Sequence, residues 1–317
     1  MARSSGKVVL LGEHAVVYGV PAIAAGISRG ATATADDSKR STLQVGTRSC
    51  TVGDGSEEAR AYGALLDALG EKSTSVSVTL EIPSGVGLGA SAAIGVATTR
   101  AVLELRQPGG QYDDRLVLRG ARAWETVFHG QPSGIDAAAS CFGGCFKYTR
   151  QHGVKPLKVE QALTLAVGVA APAASTRQMV ESVAQLRQRK AHMVDKTLAG
   201  IESVVKNGVL CVESGDIVGL GKLFDLNQML LAGLFISTEE IERACSLARD
   251  SGALGAKLTG AGGGGSVIAL CEPDNAQPVI AAWERAGIDC FTTVIAETEA
   301  DSTLDGSADI EIGEGLK

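Results

Sequence analysis

Pro83-Ser84-Gly85-Val86-Gly87-Leu88-Gly89-Ala90-Ser91-Ala92-Ala93 is the stretch on which the fold turns. Residues 76–82, just before it, alternate apolar and polar side chains, the pattern of a strand with one wet face. Glycine then falls at every second position, and an apolar helix is predicted over 91–105. Glycine lacks a Cβ, so the backbone can take positive φ and a ligand can approach the main chain closely. The helix that follows leaves its first amides unpaired and turns its positive dipole end back on the loop, which makes an anion site. Phosphate is the guest this arrangement suits.

Several glycine motifs compete for these residues. A P-loop needs Lys-Ser or Lys-Thr after its last glycine, and Ala90-Ser91 stands there instead. The dinucleotide fingerprint matches formally as Gly85-x-Gly87-x-x-Ala90, with Glu104 downstream. That fingerprint, however, follows a strand buried on both faces, which reads as a continuous apolar run, whereas Val76-Ser-Val-Thr-Leu-Glu-Ile alternates and ends at Pro83. A structural loop with no ligand is the plain alternative. The stretch closely resembles the Pro-x-x-x-Gly-Leu-Gly-Ser-Ser-Ala-Ala loop of the GHMP kinases, with Ala90 in place of the first serine. The resemblance implies ATP as cofactor, held by Pro83, Gly85, Gly87, Leu88, Gly89, Ala90, Ser91 and Ala92. By itself Ser91 reads as an N-cap of the helix; the resemblance adds a role for its hydroxyl on Mg²⁺.

The 317 residues allow two domains of ordinary size. The composition is globular, and the 40 glycines are nearly twice the usual share of about 7%. A net charge of -7 argues against nucleic acid or an anionic membrane surface as the main partner. Seven scattered cysteines include one close pair, Cys141 and Cys145, with no second pair to complete a zinc site or a disulfide framework. They read as reduced, which suits a cytoplasmic location. The N-terminus lacks a signal-like apolar region, and no apolar run reaches the roughly 20 residues needed to span a bilayer.

Three further stretches carry chemistry. Lys7-Val-Val-Leu-Leu is a short predicted strand that leads into Gly12-Glu13-His14-Ala-Val-Val-Tyr18-Gly19. Taken alone, Lys7 reads as a solvated strand end, while Glu13 and His14 between two glycines are hard to explain as surface. Residues 115–128 read as a helix containing Trp124 and Glu125, followed by His129-Gly130-Gln-Pro132-Ser133-Gly134-Ile135-Asp136, in which Ser133 and Asp136 can form a capping box. Lys257-Leu-Thr259-Gly260-Ala261-Gly-Gly-Gly-Gly265 enters an apolar strand at once, so it is not a flexible linker.

These stretches are similar to the motifs of one GHMP branch, the mevalonate kinases. The resemblance implies that Lys7 and Asp136 are catalytic and that Glu125 and Ser91 bind Mg²⁺. It places substrate at Glu13, His14, Thr176, Gly260 and Ala261; Thr176 and its neighbour Ser175 also read as a helix cap. The implied fold is α+β, the two-domain GHMP kinase fold, with an N-terminal ribosomal-protein-S5-like α/β domain and a C-terminal ferredoxin-like α/β domain. The expected division is 1–155 and 156–297, with an acidic, disordered tail over 298–317. The expected activity is ATP-dependent phosphorylation of the 5-hydroxyl of (R)-mevalonate by a homodimer, without nucleic-acid or membrane partners. Rival readings are a kinase acting on phosphomevalonate or on a 3-hydroxyl, and a catalytically silent sensor that binds sugar or nucleotide.

Overall fold

The computed structural model describes residues 1–109, 112–130 and 133–296. The predicted tail, and Pro132 of the second motif, lie outside the described residues. The chain forms two compact units, one of Met1–Lys7, Arg29–Ser84 and Gly89–Gly143, the other of Val8–Ser28, Gly85–Leu88 and Gly144 onward. The division is not sequential: strands β1 (Ala2–Leu11) and β2 (Ala22–Asp37) each run from one unit into the other.

In the first unit, residues 31–37 of β2 pair antiparallel with β5 (Thr74–Leu80). The hairpin β3 (Thr42–Val45) and β4 (Arg48–Thr51) joins β5 through a parallel β3 pairing. Four helices complete the unit: α1 (Glu57–Leu69), α2 (Ala90–Arg106), α3 (Asp114–His129) and α4 (Ile135–Phe142). Helix α1 obeys its local signals, with the Ser56 side chain accepting from the Ala59 amide and Gly70 closing the C-terminus in the left-handed region. Helix α2 is buried almost all round from Ala92 to Thr99. It packs against α3, α4 and β5 at once. Close approach to α3 depends on absent side chains: a Cβ on Gly95 would meet Trp124 at 2.8 Å, and one on Gly120 would meet Thr99 at 2.6 Å. Val96, Val117, Ala121, Ala137 and Cys141 fill the space between these helices.

In the second unit, residues 22–25 of β2 pair with β6 (Cys145–Thr149), which pairs in turn with β7 (Gly153–Pro156). From β8 (Leu163–Ala171) the chain passes through α5 (Thr176–Arg189), α6 (Ala191–Ser214), α7 (Ile217–Gly233) and α8 (Glu239–Asp250). It then forms β9 (Gly255–Thr259), β10 (Gly265–Cys271), α9 (Ala276–Arg285) and β11 (Asp289–Ile295). The four strands make an antiparallel sheet in the order β11-β8-β10-β9. Numbered by sequence this is 4-1-3-2, the arrangement of a ferredoxin-like β-α-β-β-α-β layer. Trp283 of α9 lies on the sheet at Gly168, where a Cβ would come within 2.9 Å of the ring, and its indole N–H donates to the Ala244 carbonyl at 2.9 Å. None of the seven cysteines is in a disulfide.

Candidate active site

Within the first unit, four side chains from four elements meet. Lys7, on β1, is 5% exposed rather than a solvated strand end. Its Nζ lies 3.1 Å from Asp136 Oδ1. Its aliphatic stem crosses Gly89, where a Cβ would stand 2.7 Å from Lys7 Cγ. Gly89 therefore answers two demands: a positive φ of 77°, which ends the glycine loop, and an empty face for the lysine.

Gly89, not Ser91, is the N-cap of α2, and no side chain caps this end. Ser91 sits in the first turn, two residues past the cap, and points elsewhere. It accepts from the Trp124 indole N–H at 3.2 Å and donates to the Glu125 carboxylate. The first intrahelical bond runs from the Ala93 amide to the Gly89 carbonyl. The preceding amides thus have no partner within the helix, as an anion site requires. Helix α4 starts in the same way: Gly134, with φ 86°, is its N-cap, no side chain caps it, and Asp136 lies in its first turn. The capping box expected from Ser133 does not form. A glycine cap leaves the Asp136 carboxylate free to turn toward Lys7.

Glu125, on α3, is 3% exposed. Burial first, and then the Asp136 charge, raise its pKa to about 7, against the opposing pull of the Ser91 hydrogen bond and Lys7. His129 Nε2 is 4.0 Å from Glu125 Oε1, one turn along the helix. The available donors are hard oxygens, two carboxylates and a hydroxyl, with an acid that burial disfavours as a bare anion. This set fits Mg²⁺.

A separate cluster forms in the second unit. Glu13 (2% exposed) is paired with Lys257 (0%) of β9 and accepts from Asn227 Nδ2 of α7 at 2.9 Å, so both carboxylate oxygens are occupied. Lys257 also donates to the carbonyls of Val9 and Leu258. His14 takes a strained positive φ of 58° and places Nε2 2.7 Å from the Ala261 carbonyl. Burial lowers the ring's pKa, opposed in part by that carbonyl. The ring is therefore neutral, with Nε2–H donating and Nδ1 left as an acceptor.

Gly260 and Gly262–Gly265 all have positive φ. A Cβ at Gly264 would meet the Pro172 carbonyl at 2.1 Å, and one at Gly262 would meet the Ile236 carbonyl at 2.4 Å. Residues 85–88 pack on this turn: a Cβ on Gly87 would stand 3.2 Å from the Thr259 carbonyl, and the Ser266 hydroxyl donates to the Val86 carbonyl at 2.9 Å. Thr176 is exposed as the first residue of α5, and its neighbour Ser175 is the N-cap. Of the candidate phosphate-loop residues, Pro83, Gly89, Ala90, Ser91 and Ala92 fall in the first unit, and Gly85, Gly87 and Leu88 in the second. Sequence reasoning missed Asn227, and it quoted Lys257 and Trp124 within motifs without giving either a role, because the partners of all three lie far away along the chain.

Models of the GHMP kinases N-terminal domain and the GHMP kinases C-terminal domain match residues 58–144 and 209–289. A mevalonate kinase of Methanothermobacter thermautotrophicus is 34% identical, over 90% of this chain and 94% of the relative. One of Thermococcus gammatolerans is 30% identical, over 94% and 96%. The crystal structure of L. major mevalonate kinase in complex with R-mevalonate superposes with a TM-score of 0.84 at 29% identity, covering 93% of this chain and 95% of that one. With its paired Lys7 and Asp136, its open helix ends and this likeness along nearly its whole length, the chain belongs to the mevalonate kinase family of the GHMP kinases, ATP-dependent kinases of small molecules.

Proposed function

We propose that the chain transfers the γ-phosphoryl group of ATP to the 5-hydroxyl of (R)-mevalonate. The observation that carries this reading is the Lys7–Asp136 pair at 3.1 Å, set against the side-chain-free N-termini of α2 and α4. Phosphoryl transfer requires an aligned hydroxyl and neutralisation of the oxygen charge, and little covalent work from the protein. Asp136 orients the acceptor hydroxyl and takes its proton. Lys7 holds that carboxylate in place and steadies the charge on the moving phosphoryl. The free amides at the start of α2 hold phosphate oxygens. Glu125 and Ser91 would hold Mg²⁺, which supplies charge neutralisation on the phosphates. His14 and the 260–261 turn are assigned to the acceptor, whereas Thr176, exposed at a helix start, is assigned to its outer rim.

The testing experiment is ADP release with mevalonate and with phosphomevalonate as acceptors, followed by ³¹P NMR of the product. Turnover with mevalonate to the 5-phosphate is expected. Turnover with phosphomevalonate alone, or a 3-phosphate product, would overturn the assignment. ATP binding without turnover would favour the silent sensor.

Among the described residues no helix is long and apolar enough to cross a membrane. We also infer a homodimer, on the ground that Val218, Leu226 and Met229 make an exposed apolar stripe along α7, with Phe235 beyond it at 73% exposure. Light scattering of wild type and Met229→Glu checks this, and a monomeric wild type would refute it.

A further inference from the structure

Lys257 and Glu13 are both fully withdrawn from solvent, at 0% and 1% side-chain exposure. Stability gives a poor reason for them. Removing two charges from water costs about as much as their attraction returns, so apolar residues of the same size commonly do as well. The network is also incompletely satisfied, because the Asn227 side-chain carbonyl is buried with no hydrogen-bond partner. What the network does fix is geometry. Lys257 ties the carboxylate of Glu13 to the carbonyls of Val9 and Leu258, Asn227 holds the other carboxylate oxygen, and the Thr259 hydroxyl accepts from the Val9 amide at 2.8 Å. The end of β1 is thereby fastened to β9 on one side of the Gly12-Glu13-His14 turn. On the other side, His14 reaches the Ala261 carbonyl. Between these anchors His14 is held at φ 58°, a conformation a non-glycine residue keeps only when its surroundings enforce it.

We propose that Lys257 is a positioning residue: through its buried pairing with Glu13 it sets the His14 turn and the adjoining 259–261 turn in the geometry the acceptor substrate needs. Glu13 is then a member of this support rather than a substrate contact, since its side chain is 1% exposed and each of its oxygens already accepts from Lys257 or Asn227. The proposal rests on the assignment of His14 to the acceptor site.

The test uses Lys257→Met, Glu13→Gln and the double variant in the full chain. Either single change strands a polar or charged partner in the interior and is expected to lower Tm. The double change removes both charges and is expected to recover most of the loss. If the pair positions His14, the double variant keeps a KM for the acceptor raised about tenfold or more, the scale on which supporting groups act, with KM for ATP unchanged. Its His14 imidazole signals in ¹⁵N NMR then move away from the neutral Nε2–H form of the wild type. Recovery of Tm together with wild-type KM and wild-type His14 signals would overturn the proposal and reduce the pair to core packing. His14→Ala separates the two readings: a wild-type acceptor KM in that variant defeats the assignment of His14, while the NMR comparison still decides whether Lys257 sets its geometry.

Discussion

Glu125→Gln should make the protein more stable at alkaline pH, by an amount that follows from the burial of this one carboxyl. The folded protein holds its pKa near 7 against an ordinary 4.5. Below pH 4.5 the group is protonated in both folded and unfolded chains and contributes no difference. Between 4.5 and 7 the unfolded chain ionises while the folded one retains its proton, so each rise in pH favours unfolding. Above 7 the cost is complete. At roughly 1.4 kcal/mol per pH unit of displacement this amounts to about 3 kcal/mol. Glutamine is neutral throughout and can still accept the Ser91 hydroxyl, so it lacks the term. The assay is urea or thermal unfolding of wild type and variant from pH 4 to pH 8.5 without divalent cations. The stability of the variant relative to wild type should rise by about 3 kcal/mol across that range, and Mg²⁺ with ATP should narrow the gap at pH 8 by binding only the wild-type carboxylate. A difference between the two proteins that is constant with pH would refute the reasoning, since it would place Glu125 in contact with solvent or with a compensating charge.

Asp136→Asn should lower kcat by about 10²–10⁴, the range of a positioned acid–base group, with ATP affinity nearly unchanged by isothermal titration; full turnover would remove Asp136 from the chemistry. Gly89→Ala should lower kcat more than it lowers Tm, because the new Cβ at 2.7 Å from Lys7 Cγ displaces the ammonium from Asp136; steady-state kinetics beside calorimetry decides. Ser91→Ala removes the acceptor of the Trp124 indole N–H and the donor to Glu125. A shift in tryptophan emission and a raised Mg²⁺ requirement are expected, and an unchanged magnesium titration would reject Ser91 as a ligand. Gly264→Ala should prevent folding or lower Tm by many degrees, since its Cβ would stand 2.1 Å from the Pro172 carbonyl at positive φ.

Local backbone demands were legible from the residues themselves. The glycines at 85, 87 and 89 announced positive φ, and all three have it. Where local and global demands differed, the local reading went astray. Ser91 and Ser133 both look like caps, yet glycine takes the cap at each helix and frees the following side chains. Lys7 reads as a strand end because nothing nearby in sequence reveals Asp136 or the bare face of Gly89.

The sequence by itself determined the helices and strands, the glycine turns and, through motif resemblance, the family, because each of these depends on residues close together along the chain. Only the tertiary structure decided which charges are buried and which groups they meet. It turned Lys7 inward to Asp136, raised the pKa of Glu125 and closed Glu13 onto Lys257. Desolvation and pairing are properties of the space around a side chain, and that space is filled by elements distant in the sequence.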